Sequence, residues 1–154
     1  MHLLHLNLIT VIQFYLAFLN LSCRLQRILN TAARIVSLTP KYTSITETLA
    51  LLHWLPVRER IEFKILLLTY KALNSLAPPY ISSLINVYEP PRSLRSSNSY
   101  SLVTQKVQSV FGQRAFSYSA PLLWNSIPLE LRLSPSLPVF KKNLKTHLCQ
   151  KTFY

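Results

Sequence analysis

Apolar residues recur at helical spacing along most of the chain. After Arg24, an apolar stripe returns about every 3.6 residues until Pro40, which predicts an amphipathic helix. Its members are Leu25, Ile28, Leu29, Ala32, Ala33 and Val36. Ser44 and Glu47 then have the spacing of a capping box, which satisfies two backbone amides at a helix start. We therefore expect a second, short helix from this box through Leu52.

The strongest helical pattern follows Pro56 and predicts the central helix of the fold over residues 56–75. Proline is tolerated in a first turn, because an amide proton there would have no partner within the helix. Most of the circumference of this helix is apolar, so it should be buried among other helices. The residues expected to be mostly buried are Ile61, Phe63, Ile65, Leu68 and Tyr70.

Residues 88–105 interrupt the helical pattern. They are polar, basic and proline-led at their start, which predicts an exposed loop. A short helix over Tyr80 to Val87 should precede this loop, and Leu102-Val103 should form at most a brief strand. Gly112 then marks a turn.

Two further helices should follow Gly112. The first covers Phe116 to Ile127, with Trp124 packed as an anchor against the other helices. The second starts near residues 134–138, and its apolar row is Phe140, Leu144 and Leu148. Three lysines lie outside that row, namely Lys141, Lys142 and Lys145. The predicted fold class is mainly α, a small helical domain with a basic Pro/Ser/Arg loop and at most a minor β element.

Residues 1–23 carry no charged side chain and are rich in leucine. A stretch of about 20 apolar residues is long enough to cross a bilayer, and Arg24 and Arg27 would suit its cytoplasmic flank. Five polar residues are spread along the stretch, and no positive region precedes it as in a signal peptide. A membrane anchor over residues 3–22 and a buried helix both remain open. The predicted domain organisation is an apolar segment over 1–23, a helical domain over 24–150 and a tail over 151–154.

Charge and composition exclude several classes of enzyme. Seventeen lysines and arginines stand against five acids, all of them glutamates, so the net charge is +12. Clustered carboxylates that hold two catalytic metals are therefore missing, and so is an aspartate to orient a catalytic triad. A single glycine cannot build a phosphate-cradling loop. We expect a protein that is not an enzyme and that needs no cofactor.

The cysteines and histidines point to no metal site. Cys23 and Cys149 lie at opposite ends of the chain, and without a clear secretory signal we expect two buried thiols instead of a disulfide. Only His147 and Cys149 are close in sequence, whereas zinc sites take four ligands at finger-like spacing.

A series of short motifs resembles one known family. In chain order the motifs are LQRILNTAAR (25–34), LHWLPVRERI (52–61), LLTYKALN (67–74) with LAPPY (76–80), RSLRS (92–96), GQRAF (112–116), APLLWNSIP (120–128) and FKKNLKTHL (140–148). Together they resemble the C-terminal region of the reverse transcriptase polyprotein of LINE-type (non-LTR) retrotransposons, over about residues 24–150. Residues 1–23 match poorly, and Ser44 stands where relatives commonly have histidine.

The resemblance implies a position near the polymerase thumb and beyond it, and it implies no polymerase activity. The catalytic palm of that family, with its paired aspartates, lies upstream of this region, and this chain has no aspartate.

Basic residues with tyrosines nearby make RNA or single-stranded DNA the expected partner. Lysine and arginine neutralise phosphates, and tyrosines such as Tyr88, Tyr100 and Tyr118 can stack on unpaired bases. The candidate contacts are Arg58, Arg60, Lys64, Arg92, Arg95, Lys106, Arg114, Lys141, Lys142 and Lys145. The competing interpretations are a solvated charged surface, a translated retroelement fragment without function, and a small membrane-anchored protein. An intracellular location, in cytoplasm or nucleus, is favoured over a membrane.

Overall fold

The computed structural model describes residues 19–89, 100–107 and 112–154, and these form a mainly α fold as predicted. The helices are α1 (Leu19–Ser37), α2 (Ile45–Leu51), α3 (Val57–Leu73), α4 (Pro79–Ser82), a 3₁₀ turn (Gly112–Arg114), α5 (Phe116–Ser126), α6 (Leu129–Arg132) and α7 (Leu137–Phe153). Within the described ranges, β-structure is limited to one isolated antiparallel bridge between Val87 and Leu102.

Helix α3 is central, as the sequence predicts. It contacts α1, α4, α5 and α7, and its residues Ile61, Ile65 and Tyr70 are buried. Phe63 and Leu68 are half-buried and pack against the core, so all five residues are mostly buried, as predicted. Leu68 lies four residues after Lys64 and three before Lys71, which places it beside two cations on the helix surface.

The core lies between α3, α5 and α7. The Tyr70 ring stacks on Phe140 with ring centres 4.4 Å apart, and Trp124 approaches the same ring at 6.0 Å. Trp124 is buried, so its predicted role as an anchor is confirmed. Phe140, Leu144 and Leu148 of α7 are also buried, as predicted, while the helix continues through Phe153.

Helix α1 has the predicted period but buries only part of the predicted row. Among its described side chains only Ala33 is fully buried, whereas Ile28 and Ile35 are 65% and 69% exposed. Helices α2 and α3 cover the Ala33 side, where the Gln26 side chain accepts a hydrogen bond of 2.8 Å from the Val57 amide. Of the row that the sequence assigns to the core, Ala33 is buried and Leu29 and Ala32 are half-buried, whereas Leu25, Ile28 and Val36 are exposed.

The predicted capping box is wrong in its chemistry. Helix α2 does begin after Ser44, but the Ser44 side chain makes no capping hydrogen bond. Instead, Arg34 donates to the carbonyls of Pro40 (2.6 Å) and Thr43 (3.0 Å), which holds the connection between α1 and α2. Glu47 still lies in the first turn, where a negative charge is favourable to the helix dipole.

The segment after α4 is extended rather than helical. Helix α4 ends at Ser82, a turn follows at Ser83 and Leu84, and the chain then pairs from Asn86 onward with residues 101–103. The Tyr88 amide donates to Ser101 and the Val103 amide donates to Asn86, each at 2.9 Å. The predicted helix through Val87 is therefore too long, and the brief strand is reduced to a single bridge.

Two other predictions concern the cysteines and the N-terminal segment. Both thiols are free, but Cys23 is exposed and Cys149 half-buried, so the expected burial was wrong for Cys23. None of the helices in the described ranges is long and apolar enough to cross a membrane. Most of the segment over residues 3–22 lies outside those ranges.

Candidate nucleic-acid interface

The ten predicted contacts fall into four groups. Arg92 and Arg95 lie outside the described residues. Arg114 ends the 3₁₀ turn, and its side chain also lies outside the described part. Lys106 is exposed in the segment that follows the bridge. The remaining six are exposed on two helices, Arg58, Arg60 and Lys64 on α3 and Lys141, Lys142 and Lys145 on α7.

Glu62 neutralises part of the charge at the start of α3. Its two oxygens lie 3.5 Å from Arg58 Nε and 3.2 Å from Lys151 Nζ, and the side chain is only 13% exposed. Two cations therefore share one carboxylate, and Arg58 is a weaker candidate for phosphate contact than the sequence suggests. Lys151 reaches this site from the far end of the chain, so sequence spacing gives no signal of the pairing.

Arg60 is held in position by its neighbours. Its Nε donates to the Leu55 carbonyl at 2.7 Å, and the guanidinium carbon lies 6.0 Å from the Trp54 ring centre. Both contacts leave the residue exposed. A pre-positioned guanidinium loses less side-chain entropy on binding a phosphate than a free one does.

Arg60 belongs to a row of three cations, and the sequence predicted only two of them as contacts. At about 100° per residue, Arg60, Lys64 and Lys71 lie on one face of α3, whereas Arg58 lies roughly 200° from Arg60. Lys71 is half-buried and was missed, although its spacing of seven from Lys64 is a helical signal. We call Arg60, Lys64 and Lys71 the α3 row.

The lysines of α7 form the second cationic group. Lys141 and Lys145 are one helical turn apart, Lys142 lies next to them, and all three are exposed. Among the described residues, the ion pairs are those of Glu62, so no carboxylate offsets these three charges. We call Lys141, Lys142 and Lys145 the α7 row.

The two helices that carry these rows run antiparallel. Glu62 meets Lys151 at one end of the pair, and Tyr70 stacks on Phe140 at the other. Lys64 and Lys145 lie between these two contacts. Their positions along the common axis of the two helices differ by no more than about one helical turn. The fold therefore brings together cations that are about 80 residues apart in sequence.

Not every arginine is available for a ligand. Arg132 donates to the carbonyls of Asn125 (2.7 Å) and Ile127 (2.9 Å), and to the Ser101 hydroxyl at 3.3 Å. Burial lowers the pKa of its guanidinium from the usual value, yet an arginine stays protonated in proteins. Its function here is to fix the chain at residues 101 and 125–127.

The three tyrosines named by the sequence differ in exposure. Tyr88 and Tyr100 are exposed, and Tyr118 is half-buried in α5. Tyr100 and Tyr88 flank the Val87–Leu102 bridge, so the bridge presents two aromatic rings on the surface.

In the part of the chain that the structure describes, no three histidine, cysteine or glutamate side chains come together as a metal site would require. Comparison of the chain with models of known protein families, with curated proteins and with solved structures finds no match.

Proposed function

We propose that this chain binds RNA or single-stranded DNA through the α3 row and the α7 row, and that it does so without catalysing a reaction. The observation that carries the proposal concerns the cations of the two rows. They lie on two helices that pack together, and among the described residues they have no carboxylate partner. Phosphate contacts of this kind supply most of the affinity for nucleic acid without sequence preference.

Helical geometry supports one continuous surface. In an antiparallel pair, successive residues rotate in opposite senses when both helices are viewed from the same end. Each residue advances about 100° around its helix. When this angle is counted from the line along which α3 and α7 touch, the α3 row points toward the same side of the pair as Lys141 and Lys145. A strand laid across the pair would meet Lys64 and Lys145 at nearly the same level.

A single strand is favoured over a duplex because of the exposed aromatic rings. Tyr88 and Tyr100 offer faces on which unpaired bases can stack, and paired bases are closed to such contacts. Stacking with phosphate neutralisation is the usual mode for proteins that hold single strands without reading their sequence.

We also propose that the chain derives from the region after the polymerase in a LINE-type reverse transcriptase. Residues of the resembling motifs hold distant segments together in this fold. Gln26 of one motif accepts a hydrogen bond from Val57 of the next. Asn125 exchanges two hydrogen bonds of 2.9 Å with the backbone of Leu102. These contacts support a fold that is retained from that region.

Protection of lysines from chemical acetylation tests the proposed surface. With a bound single-stranded RNA or DNA of 20 nucleotides, Lys64, Lys141, Lys142 and Lys145 should react several times more slowly, as measured by mass spectrometry. Lys41 is exposed in the turn between α1 and α2 and serves as the internal control, so its rate should not change. Equal protection of Lys41 and the α7 row would show non-specific adsorption and contradict the proposal.

A further inference from the structure

A pocket of about 390 Å³ lies where α3 ends beside the Val87–Leu102 bridge. Its walls include the apolar side chains of Leu73, Leu102 and Leu133, with Asn74 and Arg132 as polar groups and Tyr100 among the lining residues. Small-molecule sites are commonly of this size, mostly apolar and supplied with a few polar groups. Among the described residues that line the pocket there is no acid.

Tyr100 adopts an unusual backbone conformation. Its φ angle is 47°, in the left-handed region that aromatic residues avoid, while its side chain remains 58% exposed. The conformation is held because the Trp124 indole donates to the Tyr100 carbonyl at 2.9 Å and the Ser101 carbonyl accepts from Tyr88. Strain of this kind concentrates at functional sites, because a surrounding structure must maintain it.

The α3 row leads toward this pocket. Lys71 is its last member, and Asn74, which lines the pocket, lies three residues later and about 60° from Lys71 around the helix. The rise of a helix makes that separation about 3–5 Å along the axis. A strand whose phosphates follow the α3 row would therefore bring a base to the pocket.

We infer that this pocket takes one unpaired nucleobase of the bound strand, stacked on Tyr100. The ring of Tyr100 offers a flat π surface, and Asn74 offers a polar group for the edge of a base. This inference rests on the proposed function, of which it is a finer statement.

The test compares an intact single-stranded DNA with a fully abasic strand of the same length, which keeps the phosphates but has no bases. The wild-type chain should prefer the intact strand by about tenfold, since stacking of one base is worth that much. Tyr100→Gly should reduce this preference severalfold without destabilising the protein, because glycine tolerates a positive φ. Tyr100→Phe retains the ring and should restore the preference.

Two further variants complete the test. Leu133→Trp should fill the pocket and reduce the preference without altering residue 100. It therefore tests the pocket even if the Tyr100→Gly variant does not fold. Tyr42→Ala removes an exposed ring in the turn between α1 and α2, which belongs neither to the pocket nor to the proposed binding surface, and it should leave the preference unchanged. If Tyr100→Gly folds and keeps the full preference, the pocket takes no base. If wild type binds neither strand, the proposed function fails as well.

Discussion

Glu62 determines how many of the cations near the start of α3 are unpaired. It lies between Arg58 and Lys151, and removal of its charge would leave both of them without a partner. Glu62→Gln should raise the affinity for single-stranded RNA, because it removes a negative charge from the helix that carries the α3 row, with a loss of stability of about 1 kcal/mol or less because the partners of Glu62 lie at the surface. The measurement is fluorescence anisotropy with a labelled strand.

The matched control for that variant is Glu47→Gln. Glu47 is exposed in the first turn of α2, and the change in net charge is the same. An equal gain of affinity in both variants would mean that only the total charge of the molecule matters, contrary to a surface that includes α3.

Arg92 and Arg95 remain a prediction of the sequence alone, since they lie outside the described residues. Replacement of both by alanine should weaken the binding of single strands and lower the slope of log affinity against log salt by about 1.4, or 0.7 for each phosphate contact. The same salt titration measures it. An unchanged slope would remove both arginines from the interface.

At the scale of elements, the sequence predicts α3, α5 and α7 correctly, because other helices pack against the side of each helix that its apolar spacing indicates. Helix α1 shows the limit of that reasoning. Periodicity gives the positions of an apolar stripe, but the buried face depends on which neighbours pack against the helix, and α2 and α3 cover the side of Ala33. The predicted extent of α4 was wrong for a similar reason, because the chain turns after Ser82 and Asn86 and Tyr88 pair with residues 101–103.

The difference in burial between α3 and the outer face of α1 predicts that truncation of an apolar side chain to alanine lowers the free energy of unfolding much more in α3 than in α1. Leu66 is 1% exposed in α3, and Leu66→Ala should lower the free energy of unfolding by about 3 kcal/mol. Ile28 on the outer face of α1 is largely exposed, so Ile28→Ala should cost less than about 0.5 kcal/mol. Urea unfolding monitored by circular dichroism distinguishes them, and equal losses would show that the outer face of α1 is buried in solution.

At the scale of the whole molecule, a net charge of +12 opposes the compact state. Added salt screens this self-repulsion, and the same salt weakens contacts to phosphates. Raising sodium chloride from 50 to 500 mM should therefore increase the thermal midpoint while it decreases the affinity for a single strand. A midpoint that falls with salt would indicate that ion pairs, and not repulsion, dominate the electrostatics of the fold.

The candidate site was predictable only where it is local in sequence. The spacing of Lys141, Lys142 and Lys145 outside an apolar row is enough to place them on the surface, as the structure confirms. The pairing of Lys151 with Glu62 and the pocket around Tyr100 join residues that are far apart along the chain. Such contacts depend on how the helices pack, which no short-range pattern reveals.

The most direct test of nucleic-acid binding by specific cations compares two variants with the same loss of charge. One replaces Lys141, Lys142 and Lys145 by alanine, and the other replaces Arg24, Arg27 and Lys41, which are exposed at α1 and the turn after it. In a salt titration with single-stranded RNA, the first variant should lose about 2 from the log–log slope, since three contacts contribute about 0.7 each, and the second should keep the wild-type slope. Equal slopes for both variants would contradict a defined surface on α7.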